Sequence, residues 1–257
     1  MFIDSHCHLD RVDLKPFNEN FADFVMNAKD AGITDMLCVS IDLENYPAML
    51  ELVKPFNNIY TSVGVHPCEQ EGHDPEVDEL IRLAAEPSNV AIGETGLDYF
   101  RTEGDMHWQQ QRFRRHIQAA REVDKPLIIH TREAREDTIN ILQEENARQV
   151  GGVMHCFTET WEMAQAALEM DFYISFSGIV TFKNATELKE VAKKVPLERM
   201  LIETDSPYLA PVPYRGKPNV PQYVSKVAEH IADLRETSVD KIAEQTSQNF
   251  KELFKIN

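Results

Sequence analysis

Phe2-Ile3-Asp4-Ser5-His6-Cys7-His8-Leu9-Asp10 begins as an apolar run and ends in a cluster of metal-binding side chains. The run reads as a buried strand. Side chains alternate sides along a strand, so His6 and His8 point the same way, and Cys7 points the other way, where it packs as a small apolar residue. Two imidazoles fixed on one rigid face begin a divalent-metal site. If this strand opens a parallel sheet, further strands must follow that end in the same kind of cluster.

They do. After the run at 2–4, short apolar runs recur at 35–40, 59–65, 90–93, 126–129, 152–154, 172–176 and 200–202. Amphipathic segments alternate with them at 19–31, 44–54, 75–86, 105–123, 134–145, 160–170, 185–194 and 220–235, and a last helix is expected at 239–254. Gly32, Pro67, Pro75, Pro87, Gly151 and Pro196 punctuate the alternation, and Pro126 fits the first position of a strand, where its missing N–H is tolerated. About eight strand–helix units predict an α/β fold, a closed parallel (β/α)8 TIM barrel. At 257 residues the chain is long enough for one such barrel, spanning 1–257 as a single domain. A doubly wound open sheet is the competing fold, but its Gly-x-Gly-x-x-Gly first turn is absent. The proline-rich stretch 206–221 is expected to form a stiff irregular loop.

Hydrophobic content of 42% and charged content of 27% are those of an ordinary globular enzyme. No stretch reaches the roughly 20 apolar residues of a membrane span, and no basic segment leads into an apolar one at the N-terminus. Cys7, Cys38, Cys68 and Cys156 form no Cys-x-x-Cys pair, which predicts reduced thiols, a cytoplasmic location and no membrane partner. The formal net charge of −17 argues against loose binding along a nucleic-acid backbone, which needs a basic surface. It leaves room for a small phosphate-reading site whose positive charge comes from metals.

Working residues of such a barrel stand at the C-terminal ends of the strands. Here those ends carry His6 and His8, His66, Glu94 and Asp98, His130, His155, and Asp205. His73, His107, His116 and His230 fall in loops or helices and read as ordinary. Imidazoles and carboxylates together suit zinc, manganese, cobalt, nickel or iron. Two cations about 3.5–4 Å apart need a bridging anion. Glu94, at the tip of the run 90–93 and flanked by glycines, is the candidate bridge. Asp205 is expected to bind metal and to move protons, and Glu203, two residues earlier, to face the barrel interior beside a histidine or lysine.

These residues resemble those of the TatD family of metal-dependent hydrolases, part of the amidohydrolase-like metal-barrel group. The similarity runs through the opening stretch, Gly64-Val65-His66-Pro67, Gly93-Glu94-Thr95-Gly96-Leu97-Asp98-Tyr99, His130-Thr131-Arg132, Gly152-Val153-Met154-His155-Cys156-Phe157, Phe176-Ser177-Gly178, the stretch from Val195 to Pro207, and Arg215-Gly216-Lys217-Pro218-Asn219. The resemblance implies two divalent cations per chain (Zn, Mg, Mn, Ni, Co or Fe). One is held by His6, His8, Glu94 and Asp205, the other by Glu94, His130 and His155. It implies that His66 lies near the substrate without holding metal. Thr158-Glu159 departs from the commoner family wording, which affects substrate contacts and leaves the metal residues intact.

The activity implied is that of a deoxyribonuclease or 3′-5′ exonuclease, cleaving phosphodiesters with a water activated by the two metals; Asp205 and Glu94 are the catalytic candidates. The alternative on the same site is an ester or amide hydrolase such as a D-aminoacyl-tRNA deacylase. Arg132, Arg215 and Lys217 are expected to hold phosphate oxygens, and Tyr99, Phe100, Phe157 and Tyr208 to stack on a terminal base. The expected partners are nucleic-acid ends or a small phosphate-containing substrate, met by a monomer. A non-catalytic barrel would betray itself by a lost ligand, and none is lost.

Overall fold

In the computed structural model, which describes residues 1–256, the opening stretch forms strand β1 (Phe2–Cys7). Seven strands follow it in parallel, each paired with its predecessor: β2 (Ile33–Cys38), β3 (Ile59–Val63), β4 (Asn89–Asp98), β5 (Leu127–Arg132), β6 (Gly152–Met154), β7 (Phe172–Phe176) and β8 (Met200–Ile202). Between them run α1 (Phe21–Asp30), α2 (Tyr46–Val53), α3 (Val77–Leu83), α4 (His107–Val123), α5 (Arg135–Glu144), α6 (Trp161–Glu169) and α7 (Thr186–Lys194). Helices α8 (Val224–Leu234) and α9 (Val239–Leu253) follow β8. This is the (β/α)8 barrel. Among the described residues no helix is long and apolar enough to cross a membrane, and all four cysteines are free thiols.

Backbone and side-chain bonds close the barrel between its first and last strands. Asp205 N–H donates to His6 O at 2.9 Å and His8 N–H to Ser206 O at 2.8 Å. Buried Asp4 accepts from Thr204 N–H at 2.8 Å and from Thr204 Oγ1. Apolar spacing explains the layers. In α8, Val224, Val227, Ala228, Ile231 and Ala232 fall on one face and are buried. Inside the barrel Ile3, Leu37, Ala91, Ile128, Val153 and Leu201 pack with Phe250, Leu253 and Phe254, so α9 seals the N-terminal end. Burying each large side chain contributes about 1.5–3 kcal/mol. The opposite, C-terminal mouth remains open to substrate.

Three local findings shape that mouth. A register shift between Asp4 and Cys7 lets Ser5 face inward onto Ser175 while His6 and His8 both reach the mouth. Cys7 lies in the outer core, as its alternation predicts. Strand β4 continues to Asp98, so Glu94 lies within a strand and not at its tip as the apolar run implied. The run ends at Gly93, but pairing with β5 resumes from Thr95–Ile129 to Asp98–Arg132. Gly96, at φ +132°, is what permits this: a Cβ there would sit 2.0 Å from His130 O, against backbone that cannot yield. Strand β5 likewise extends past the apolar run 126–129 to Arg132, and it begins at Leu127, one residue after Pro126.

Helix α4 anchors the end of β3. Its buried His116 accepts from Val65 N–H at 3.0 Å and donates Nδ1–H to Arg112 O at 2.8 Å. Arg112 in turn donates to the carbonyls of His66, at 3.1 Å, and Glu69, at 2.6 Å. Burial pushes the His116 imidazole down to about 4, against its bond to Arg112 O. It is therefore neutral in the fold, while the unfolded chain protonates it near 6.5. The stability this gives is present above pH 6.5 and is lost as pH falls toward 4. We expect urea denaturation to show native protein losing up to about 3 kcal/mol more over that interval than His116→Gln. Parallel pH profiles would contradict the assignment.

Candidate metal centre

Glu94 is the meeting point of the mouth. Its Oε1 lies 2.9 Å from His155 Nε2, 3.2 Å from His130 Nδ1 and 3.3 Å from His66 Nε2. Its Oε2 lies 3.4 Å from His6 Nε2 and 3.9 Å from His8 Nε2. Asp205 Oδ1 is 3.3 Å from His8 Nε2 and 3.7 Å from His6 Nε2. Asp205 holds φ at +56°, a left-handed backbone unusual for a side-chain-bearing residue, at the point where β8 gives way to the following loop. All of these groups are buried or nearly so. Side chains from β1, β4, β5 and the loops after β3, β6 and β8 thus share one cavity.

The partners of the outer ring nitrogens fix which imidazole atoms carry protons. His8 donates Nδ1–H to Val39 O at 2.9 Å, because a carbonyl can only accept. His155 donates Nδ1–H to Glu203 Oε1 at 3.1 Å, and Cys156 N–H donates to the same oxygen at 2.8 Å. His130 donates Nε2–H to Asp98 Oδ2 at 3.0 Å. In neutral imidazoles this leaves lone pairs on His8 Nε2, His155 Nε2 and His130 Nδ1, all aimed at carboxylate oxygens. Acceptors facing one another at contact distance call for a cation between them. His6 stacks on His155 with ring centroids 3.9 Å apart, and its Nδ1 is buried without a partner.

His66 differs. Cys68 N–H donates to its Nδ1 at 3.0 Å, so its proton sits on Nε2 and points at Glu94. His66 is a donor in this arrangement, unlike the other three rings.

Charge follows the same logic. Burial opposes protonation of His155, His130 and His8, but the carboxylates win, and all three imidazoles are raised, His155 furthest under Glu94 and Glu203. Burial and the charge of His155 lower His6. Glu94 falls well below the usual carboxylate range although burial opposes it, because His155 and His66 lie against it. Asp205 is lowered by His8 and His6, also against burial. The cavity demands positive charge, and the donor set of imidazole nitrogens and carboxylate oxygens fits divalent transition metals.

Three groups of side chains lie close enough together to hold an ion: His6 with His8 and Asp205, His66 with Glu94 and His130, and His6 with His155 and Glu203. The other residues singled out from sequence stand outside this cluster. Arg132 stacks over the exposed Phe100 ring at 3.8 Å, Arg215 over Phe182 at 4.3 Å, and Lys217 is exposed. Tyr208, 49% exposed, sits edge-on to His8. Tyr99 donates its hydroxyl to Asp137 at 2.6 Å. Phe157 is buried in the core and is not available for stacking on a base; it follows β6 too closely to escape the packing beneath the loops. The groups that orient the imidazoles escaped sequence reading in part. The carbonyl of Val39 and the amide of Cys68 carry no sequence signal, whereas Asp98 and Glu203 were visible as carboxylates at strand ends.

The family model described as TatD related DNase matches residues 3–255. The chain belongs to the TatD family. It is 49% identical, over 99% of its length and 96% of the relative's, to the uncharacterized metal-dependent hydrolase YcfH of Escherichia coli. It is 33% identical, over 94% of its length and 95% of the relative's, to the 3′-5′ ssDNA/RNA exonuclease TatD of Escherichia fergusonii. The crystal structure of YJJV, a TatD homologue from Escherichia coli, superposes with a TM-score of 0.90 at 28% identity, covering 100% of this chain and 98% of that one. This TatD protein is a metal-dependent hydrolase.

Glu203 bonds His155 directly, lies close to His6 and accepts from Ser175 Oγ, so its charge supports this side of the centre. Glu203→Gln keeps an oxygen for His155 and Cys156 but removes the charge. Metal affinity, measured by elemental analysis of protein dialysed against graded metal buffers, is expected to fall about 10- to 100-fold. The melting temperature of the metal-free protein is expected to change little. Unchanged metal affinity would show that Glu203 does not support His155 as a ligand.

Proposed function

We propose that the protein is a dimetal phosphodiesterase that removes nucleotides from the 3′ ends of single-stranded DNA. The observation that carries this reading is Arg132. It stands at the end of β5, two residues from His130, with no carboxylate partner among the described residues and its face laid on an exposed ring. A guanidinium left free beside a hydrolytic centre suits an anionic substrate, and the printed activity of the Escherichia fergusonii relative supports the same class.

His6, His8, Glu94 and Asp205 would hold one cation, and Glu94, His130 and His155 the other. When bound, two such cations polarise a phosphoryl oxygen and bring the pKa of water toward about 7. The remaining work falls to the chain. Asp205, kept as a carboxylate by His8 and His6, accepts the proton of the attacking water and can return it to the leaving 3′ oxygen. His66, whose Nε2–H faces Glu94 in the free site, would offer that donor to a phosphate oxygen of bound substrate. Arg132 orients the scissile group, while Arg215 and Lys217 stand on the loop after β8, where neighbouring phosphates would pass.

Metal-loaded protein is expected to shorten a 5′-labelled single-stranded DNA from its 3′ end and to leave D-aminoacyl-tRNA esterified. Asp205→Asn is expected to lower kcat about 100- to 10,000-fold, and Glu94→Ala to lose both activity and metal while remaining folded. Deacylation of the tRNA with intact DNA would replace this reading by an ester hydrolase.

A further inference from the structure

The acidic chain leaves few of its arginines idle. Among the described residues Arg112, Arg114, Arg135 and Arg148 each hold a carboxylate, and Arg121 and Arg235 take carbonyl oxygens. Arg101, Arg132 and Arg215 have neither kind of partner, and all three stand on the C-terminal rim. Arg101 follows β4 and lies against the Cys68 thiol; Arg132 ends β5; Arg215 belongs to the loop after β8. Two of them lie over aromatic rings, Arg132 over Phe100 at 3.8 Å and Arg215 over Phe182 at 4.3 Å. Stacking occupies the face of a guanidinium and leaves the N–H edge free to grip an oxyanion in its plane. In a molecule of net charge −17, counter-charge for these groups was abundant and has not been used.

The two stacked pairs do not adjoin. One belongs to β4 and β5, the other to the loops after β7 and β8, with β6 between them on one side and β1 to β3 on the other. Where the loops after β4 and β5 meet, the rim is acidic: Glu133, Glu136 and Asp137 line an open cleft of about 410 Å³ with Tyr99 and with Arg135, whose charge is already engaged by Glu159. Those carboxylates disfavour a polyanion in the cleft, which leaves the mouth between the two pairs as the better path.

We propose that the mouth is a two-ended phosphate clamp for single-stranded DNA, with Arg101 and Arg132 beside Phe100 gripping one phosphate and Arg215 beside Phe182 gripping another. This rests on the phosphodiester reading above and adds a length requirement to it. A dinucleotide reaches one end of the clamp, and an oligonucleotide reaches both. The exposed face of Phe100 offers the intervening bases a stacking surface.

The test is equilibrium binding of fluorescein-labelled phosphorothioate oligodeoxythymidylates of two and eight nucleotides to the metal-loaded protein, read by anisotropy over a salt series. The eight-mer is expected to bind at least about 10-fold more tightly than the dinucleotide. Arg132→Gln and Arg215→Gln are each expected to weaken the eight-mer about 5- to 10-fold and to flatten the slope of log Kd against log salt by about 0.7, the value for one phosphate contact on a single strand. Arg148→Gln, whose arginine is paired with Asp171, serves as the unaffected control. Equal binding of both lengths, loss confined to one of the two arginines, or no binding of the eight-mer overturns the clamp. Turnover of unmodified oligonucleotides is measured alongside. Length-dependent binding without cleavage of any oligonucleotide overturns the phosphodiesterase reading alone; cleavage indifferent to length and to both arginines overturns the clamp alone.

Discussion

One buried carboxylate organises this protein. Glu94, itself 2% exposed, lies within contact distance of imidazoles from β1, β5 and the loops after β3 and β6. Anionic oxygens and nitrogen lone pairs so close together repel one another unless positive charge lies between them. The raised imidazoles of His8, His130 and His155 state the same demand in terms of protons. Divalent cations would satisfy it by accepting those lone pairs directly, displacing the protons as they bind.

The barrel serves that constraint. Parallel strands bring their C-terminal ends to one rim, so residues separated by 200 positions, such as Asp4 and Thr204, meet across a pair of hydrogen bonds. Sealing of the opposite end by α9 makes the mouth the open face of the interior. Around the cluster, carboxylates and backbone groups set each imidazole's tautomer: Glu203 for His155, Asp98 for His130, Val39 O for His8 and Cys68 N–H for His66. The last of these reverses the role of its ring, turning His66 from an acceptor into a donor. Helix α4 stabilises that corner through His116, which accepts from Val65 N–H, and Arg112, which donates to the His66 carbonyl.

The alternation of apolar runs and amphipathic segments sufficed to predict the barrel, because parallel strands buried on both faces are nearly continuous in hydrophobicity and their helices keep a clear 3.6-residue period. The cluster was legible for a related reason: His6, His8, His130, His155 and Asp205 each follow such a run, and strand ends converge by topology. What was not legible is tertiary or carried by backbone. The continuation of β4 past Gly93 depends on how closely Gly96 can approach His130, which no hydrophobic pattern encodes. Burial of Phe157 depends on the loops above β6. The stack of Arg132 on Phe100 joins residues from different strand–helix units, and the donor role of His66 depends on an amide two residues away.

The reading of the mouth as a two-cation centre is tested most directly by anomalous diffraction from crystals of the protein grown with zinc or manganese. Two peaks about 3.5–4 Å apart on either side of the Glu94 carboxylate are expected, one beside His6, His8 and Asp205 and the other beside His130 and His155. A single peak away from Glu94, or none with the imidazoles still directed at the carboxylates, would contradict it.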